Sequence, residues 1–73
     1  MTDTASSPRL VLNGTPTLVP DGTTVAMLLA ERGIAVDRVA VEINRAIVAK
    51  PDYARRQLAD GDEIEIVSFV GGG

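Results

Sequence analysis

The run Val39-Ala-Val-Glu-Ile-Asn44 alternates strictly, with Val39, Val41 and Ile43 separated by Ala40, Glu42 and Asn44. Successive side chains of a strand point to opposite faces, so this spacing commits the segment to a strand with one buried face and one wetter face. A second alternating run, Glu63-Ile-Glu-Ile-Val-Ser-Phe-Val70, follows the turn Asp60-Gly61-Asp62. It passes without a polar linker into Gly71-Gly72-Gly73. Half-buried strands need an apolar layer to cover them. Val25, Leu28 and Leu29, at i, i+3 and i+4, supply one as a single helical stripe. Thr23 is placed to cap a helix running from about Thr24 to Arg32, and Gly33 can take the left-handed conformation that commonly ends one.

The remaining segments fit around these three. Arg9 to Asn13 reads as a strand with Leu10 and Leu12 on one face, and Asn13-Gly14 is a strong signal for a two-residue hairpin. Thr15 to Val19 is the returning strand, and Pro16 assigns it to a sheet edge. After a reversal at Asn44-Arg45-Ala46, Ile47 and Val48 form a short strand. Pro51-Asp52 opens a short helical turn to about Gln57, with Tyr53 and Leu58 as core contacts. The expected fold is α+β, a mixed sheet of four to five strands with one main helix packed on one face. Residues 1–8 read as a flexible leader, 9–70 as the domain and 71–73 as a flexible glycine tail.

Composition excludes several function classes. A chain of 73 residues buries only about 60 % of its unfolded surface, which leaves little room for a deep active-site cleft. It contains no Cys and no His, so thiolate chemistry, disulfides and the commonest general base and metal ligand are absent. A net charge of −3 with one Phe and one Tyr lacks the basic, aromatic footprint of nucleic-acid binding. It suits contact with basic patches on other proteins. No apolar run approaches the roughly 20 residues of a membrane span. The polar leader lacks the pattern of an export signal, so a cytoplasmic location is expected.

Few residues are then left to carry chemistry. A terminal carboxylate is ionised at neutral pH, with an ordinary pKa near ~3.5, and is a poor acylating agent until another enzyme activates it, for example as an acyl-adenylate made from ATP. Glycine suits a tail that must thread into such an enzyme, because it is slim and tolerates unusual backbone angles. Three terminal glycines taken alone favour a frayed end over a functional one. Their direct continuation from a strand favours a presented tail. If Ile64 and Ile66 face inward, the period of two places Glu63, Glu65, Val67 and Phe69 outward. Val67 and Phe69 then form an apolar patch beside the tail, with Phe69 closing the core end as the other reading. Glu42, Asp60, Asp62, Glu63 and Glu65 read as a solvated acidic face and not as a metal or catalytic site. With Val67 and Phe69, Glu42 and Glu65 define a candidate docking face. Lys50, Arg55 and Arg56 read as a solvated helix face, too sparse for nucleic acid.

Taken together, Val39 to Asn44, the Ile47-Val48 pair, Asp60-Gly-Asp-Glu-Ile-Glu-Ile-Val67 and Phe69-Val-Gly-Gly-Gly73 resemble the ThiS family, the sulfur carriers of thiamine biosynthesis. The resemblance runs from about Leu10 to Gly73. It implies a β-grasp, ubiquitin-like fold and a protein that is a carrier, not an enzyme, binding no cofactor itself. It further implies that Gly73 is adenylated by a ThiF-type adenylyltransferase using ATP and converted to a thiocarboxylate. The sulfur would derive from cysteine through a desulfurase or sulfurtransferase, and thiazole synthase (ThiG) would receive it. Gly73 is the implied sulfur-bearing position, and Gly71 and Gly72 the threading residues. The chain departs from the family pattern at Ala49-Lys50, where a proline is common, at Ser68, often His, and at Arg45, often Gly. Rival readings are the small subunit of molybdopterin synthase, a ubiquitin-like protein modifier and a plain interaction module.

Overall fold

A computed structural model describes residues 7–69 of the chain. Five strands, β1 (Arg9–Leu12), β2 (Thr15–Leu18), β3 (Val39–Ile43), β4 (Ala46–Val48) and β5 (Glu63–Ser68), form one sheet in the order β2-β1-β5-β3-β4. One helix, α1 (Val25–Glu31), covers one face. The sheet is mixed: β5 runs parallel to β1 and antiparallel to β3, and the other two pairings are antiparallel. This is the expected β-grasp arrangement, with Pro16 on the edge strand β2 where its missing N–H costs no ladder bond.

The two hairpins are tight for the same local reason. Asn13 and Gly14 have φ of 47° and 83°, and Asn44 and Arg45 have 54° and 71°. Positive φ at both central residues is the type I′ geometry whose twist matches the flanking strands. Ala46 therefore belongs to β4, paired with Ile43, and not to the turn.

The alternating residues point as the sequence predicts. Leu10, Leu12, Val39, Val41, Ile43 and Ile64 are buried from the sheet, and Val25, Leu28 and Leu29 from the helix. Tyr53 and Leu58 close the core as expected. A fully buried aliphatic side chain contributes about 1.5–3 kcal/mol, so this cluster dominates the fold's stability.

Several boundaries move. The helix cap is Thr24, whose side chain accepts from the Met27 N–H, and not Thr23. Thr23 is buried instead and its hydroxyl donates to the Pro20 carbonyl at 2.7 Å. Past the helix, the Gly33 N–H bonds Ala30 and the Ile34 N–H bonds Leu29. This is a Schellman closure, with Gly33 left-handed at φ 69°. A short 3₁₀ turn at Val36–Arg38, which the sequence does not announce, leads into β3. The expected helical turn from Pro51 is a 3₁₀ turn at Lys50–Asp52 that loosens before Gln57. Pro8, assigned to the leader, is buried, and its carbonyl accepts from the Val19 N–H at 3.2 Å. The folded unit thus includes Pro8.

Candidate functional site

Strand β5 leads toward the glycine tail, and its support comes from both sides. On the β1 side the Val11 and Asn13 N–H groups donate to the carbonyls of Asp62 and Ile64 at 3.0 and 2.8 Å. There β1 turns away into its hairpin. The Asn13 side chain continues the ladder in its place: its Oδ1 accepts from the Ile66 N–H at 2.8 Å and its Nδ2 donates to the Ile66 carbonyl at 3.3 Å. On the β3 side Asn44 acts at the other end of β5. Its N–H donates to the Glu63 carbonyl at 2.8 Å and its Oδ1 accepts from the Glu63 N–H at 3.0 Å. Both asparagines sit in left-handed turns, where their short side chains reach adjacent backbone. Main-chain pairing with β3 continues through Ser68, and the Phe69 N–H donates to the Arg38 carbonyl at 2.9 Å.

The outward face of β5 carries Glu63, Glu65 and Val67 in the predicted alternation. Glu65 pairs directly with Glu42, and Val67 with Ala40. Ile47, exposed on β4, pairs with Glu42 on its other side. Val67 is 53 % exposed and Phe69 64 % exposed, so Phe69 does not close the core. The structure thus places Val67, Glu42 and Glu65 on one sheet face, with exposed Phe69 just past the end of β5. Glu42, Glu63 and Glu65 also line a shallow depression with Arg45. Among the described residues no three acidic side chains converge as a metal site would require. Gly71, Gly72 and Gly73, the expected threading and sulfur-bearing residues, lie outside the described residues, as does Val70.

Two assignments made from the sequence need correction. Asp62 is not part of a solvated acidic face; it is buried. Its carboxylate accepts from the Ala59 N–H at 2.8 Å and from Asn44 Nδ2 at 3.0 Å, and it pairs with Arg56 at 3.3 Å. Arg56 is correspondingly a structural partner and not simply a solvated residue, whereas exposed Arg55 pairs with half-buried Asp52. The Asn13 and Asn44 roles were missed as well. Asn13 and Ile66 are 53 positions apart in sequence, so local pattern could suggest a turn at Asn13 but not the strand beside it.

The family model described as the ThiS family matches residues 9–73. The chain is 45 % identical over 53 residues to the sulfur carrier protein ThiS of Bacillus subtilis, covering 73 % of this chain and 80 % of that one. It is 46 % identical over 65 residues to a thiazole synthase of Paramagnetospirillum magneticum, and 43 % over 65 residues to one of Magnetococcus marinus. Those matches cover 89 % of this chain but only 20 % of each synthase, so the chain spans about a fifth of their length. The crystal structure of the thiamine biosynthesis protein (ThiS) from Geobacter metallireducens superposes with a TM-score of 0.75 at 31 % identity, covering 89 % of this chain and 99 % of that chain. The thiazole synthases therefore carry a domain similar to this one within a longer chain.

Proposed function

The chain belongs to the ThiS family, and from that premise we propose that it is a sulfur carrier of thiamine biosynthesis that works through the carboxylate of Gly73. The observation that carries this reading is a match to the family along residues 9–73, on a domain whose central strand leads toward that tail. The carboxylate oxygen attacks the α-phosphorus of ATP in a ThiF-type adenylyltransferase, pyrophosphate leaves, and an acyl-adenylate forms. A persulfide drawn from cysteine by a desulfurase or sulfurtransferase then attacks the acyl carbon and displaces AMP, giving an acyl disulfide. A second thiol attacks the donor's own sulfur in that S–S bond, forming a disulfide with it and releasing the terminal thiocarboxylate. Thiazole synthase consumes that sulfur. The similar domain inside the two longer thiazole synthases supports this choice of acceptor.

In this scheme the domain supplies no catalytic group and holds no cofactor; ATP belongs to the partner. Gly71 and Gly72 thread into the partner's site, where a side chain would obstruct passage. The face of Val67, Phe69, Glu42 and Glu65 docks the body while the tail enters. Glu42 and Glu65 support docking in a specific way. Like charges directly opposite on neighbouring strands are destabilising by a few tenths of a kcal/mol, and a basic partner surface relieves that repulsion. A polar start without the pattern of an export signal supports a cytoplasmic location.

The test is a mass measurement. Incubated with ATP and a ThiF-type enzyme, the protein should gain one adenylate. With a sulfur donor added, one terminal oxygen should be replaced by sulfur. Removing Gly73 should abolish both changes; modification that survives the deletion overturns the proposal. Turnover of the thiocarboxylate by thiazole synthase, and not by the large subunit of molybdopterin synthase, identifies the pathway. Amide conjugates to lysines would mark a protein modifier instead.

A further inference from the structure

On the face opposite the docking residues, the core is open at the end where β5 leaves the sheet. A depression of about 550 Å³ lies there, between the end of α1, the 3₁₀ turn and the sheet. Its apolar lining includes Leu12, Ile34, Val39 and Ile66, and Arg32 and Arg38 line it as well. Arg32 caps α1, and Arg38 ends the 3₁₀ turn. Both are exposed. Among the described residues neither takes part in an ion pair, whereas Lys50, Arg55 and Arg56 each do. A chain with a net charge of −3 thus presents two guanidinium-bearing residues at one apolar opening. Ser68 lines the same opening, and the Arg38 carbonyl holds the Phe69 N–H. The opening is therefore contiguous with the end of β5.

From this charge complementarity we infer that the opening is a second docking point, for an acidic peptide segment of the enzyme that activates the tail. One carboxylate of that segment sits against Arg32 and Arg38, the residues best suited to planar, two-pronged recognition of a carboxylate. An apolar neighbour enters the depression between Ile34 and Ile66. Together with the acidic, apolar outer face this gives the carrier two contacts of opposite sign, one on each side of β5. A partner must match both at once, which selects against surfaces carrying a single sign of charge.

The inference deepens the reading of the chain as a substrate of an adenylyltransferase, and its test separates the two. Adenylation kinetics are measured on the full chain with a ThiF-type enzyme for Arg38→Glu and for Arg55→Glu, which changes net charge equally but lies away from the opening. Arg38→Glu should raise the KM for the carrier at least tenfold with kcat within twofold, Arg32→Glu should act alike, and Arg55→Glu should change neither. Equal KM values for Arg38→Glu and Arg55→Glu overturn the inference while wild-type adenylation upholds the carrier reading. A nuclear magnetic resonance footprint of the enzyme on the labelled chain gives an independent readout. Broadening at Ile34, Ala35 and Arg38 supports the second contact even if no adenylate forms, and broadening confined to the outer face overturns it.

Discussion

The carboxamide of Asn13 closes both main-chain groups of Ile66, accepting from its N–H and donating to its carbonyl. It stands where a further residue of β1 would stand, and so holds β5 in the sheet beyond the point at which β1 departs.

Asn13→Gly isolates that contribution, because glycine keeps the left-handed turn and removes only the carboxamide. Loss of two hydrogen bonds to backbone should destabilise the fold by about 1–2 kcal/mol. Chemical denaturation measures the loss, and hydrogen exchange at Ile66 should accelerate more than at Val41. Unchanged exchange at Ile66 would show that the side chain does not hold the strand.

Asp62 and Asp37 offer a contrast between a buried and an exposed carboxylate. Asp62→Ala strands Arg56 and the Ala59 N–H and should cost about 2–4 kcal/mol. Asp37 is 84 % exposed and pairs with Lys50 at the surface, so Asp37→Ala should cost less than about 1 kcal/mol. Urea titrations giving equal midpoints for the two variants would contradict this assignment.

Arg45 holds φ 71°, in a region where an L side chain is strained. Arg45→Gly relieves that strain but gives the unfolded chain more freedom, so the net gain should be small, up to about 1 kcal/mol. Thermal unfolding should show a raised midpoint; a lowered one would mean that the arginine side chain contributes more than its backbone costs.

Val67 and Phe69 are exposed, so Val67→Asp and Phe69→Ala should each leave stability within about 0.5 kcal/mol. The same variants should reduce adenylation of Gly73 at least tenfold. Full activity in both would remove the outer face from the docking scheme.

Most of the architecture was legible because it rests on local periodicity. Val39, Val41 and Ile43 gave β3 its buried face, Val25, Leu28 and Leu29 gave α1 its stripe, and Asn13-Gly14 gave the first hairpin. What escaped depends on neighbours distant in sequence. Asp62 looks like one of a row of surface acids until Arg56 and Asn44 are placed around it. Thr23 and Thr24 are chemically identical candidates for the cap, and only the Pro20 carbonyl beside Thr23 decides between them. The Val36–Arg38 turn is too short to show a period, and the arginine-rimmed opening exists only once that turn meets the end of α1. Phe69 was ambiguous because a lone aromatic at a strand end can serve the core or the surface.

The position of β5 has a consequence for the order of events in the life of the chain. Strands β1 and β2 form one hairpin and β3 and β4 another, and these pair with β5 but not with each other. Strand β5, the last of the five in chain order, is thus the one that joins two otherwise separate halves. Pairing it with β1 closes a loop of about fifty residues, a slow step by its entropy alone. A chain in which either hairpin has not formed leaves β5 without one of its two neighbours. An activating enzyme that grips β5 would therefore act on chains in which both hairpins have already joined it.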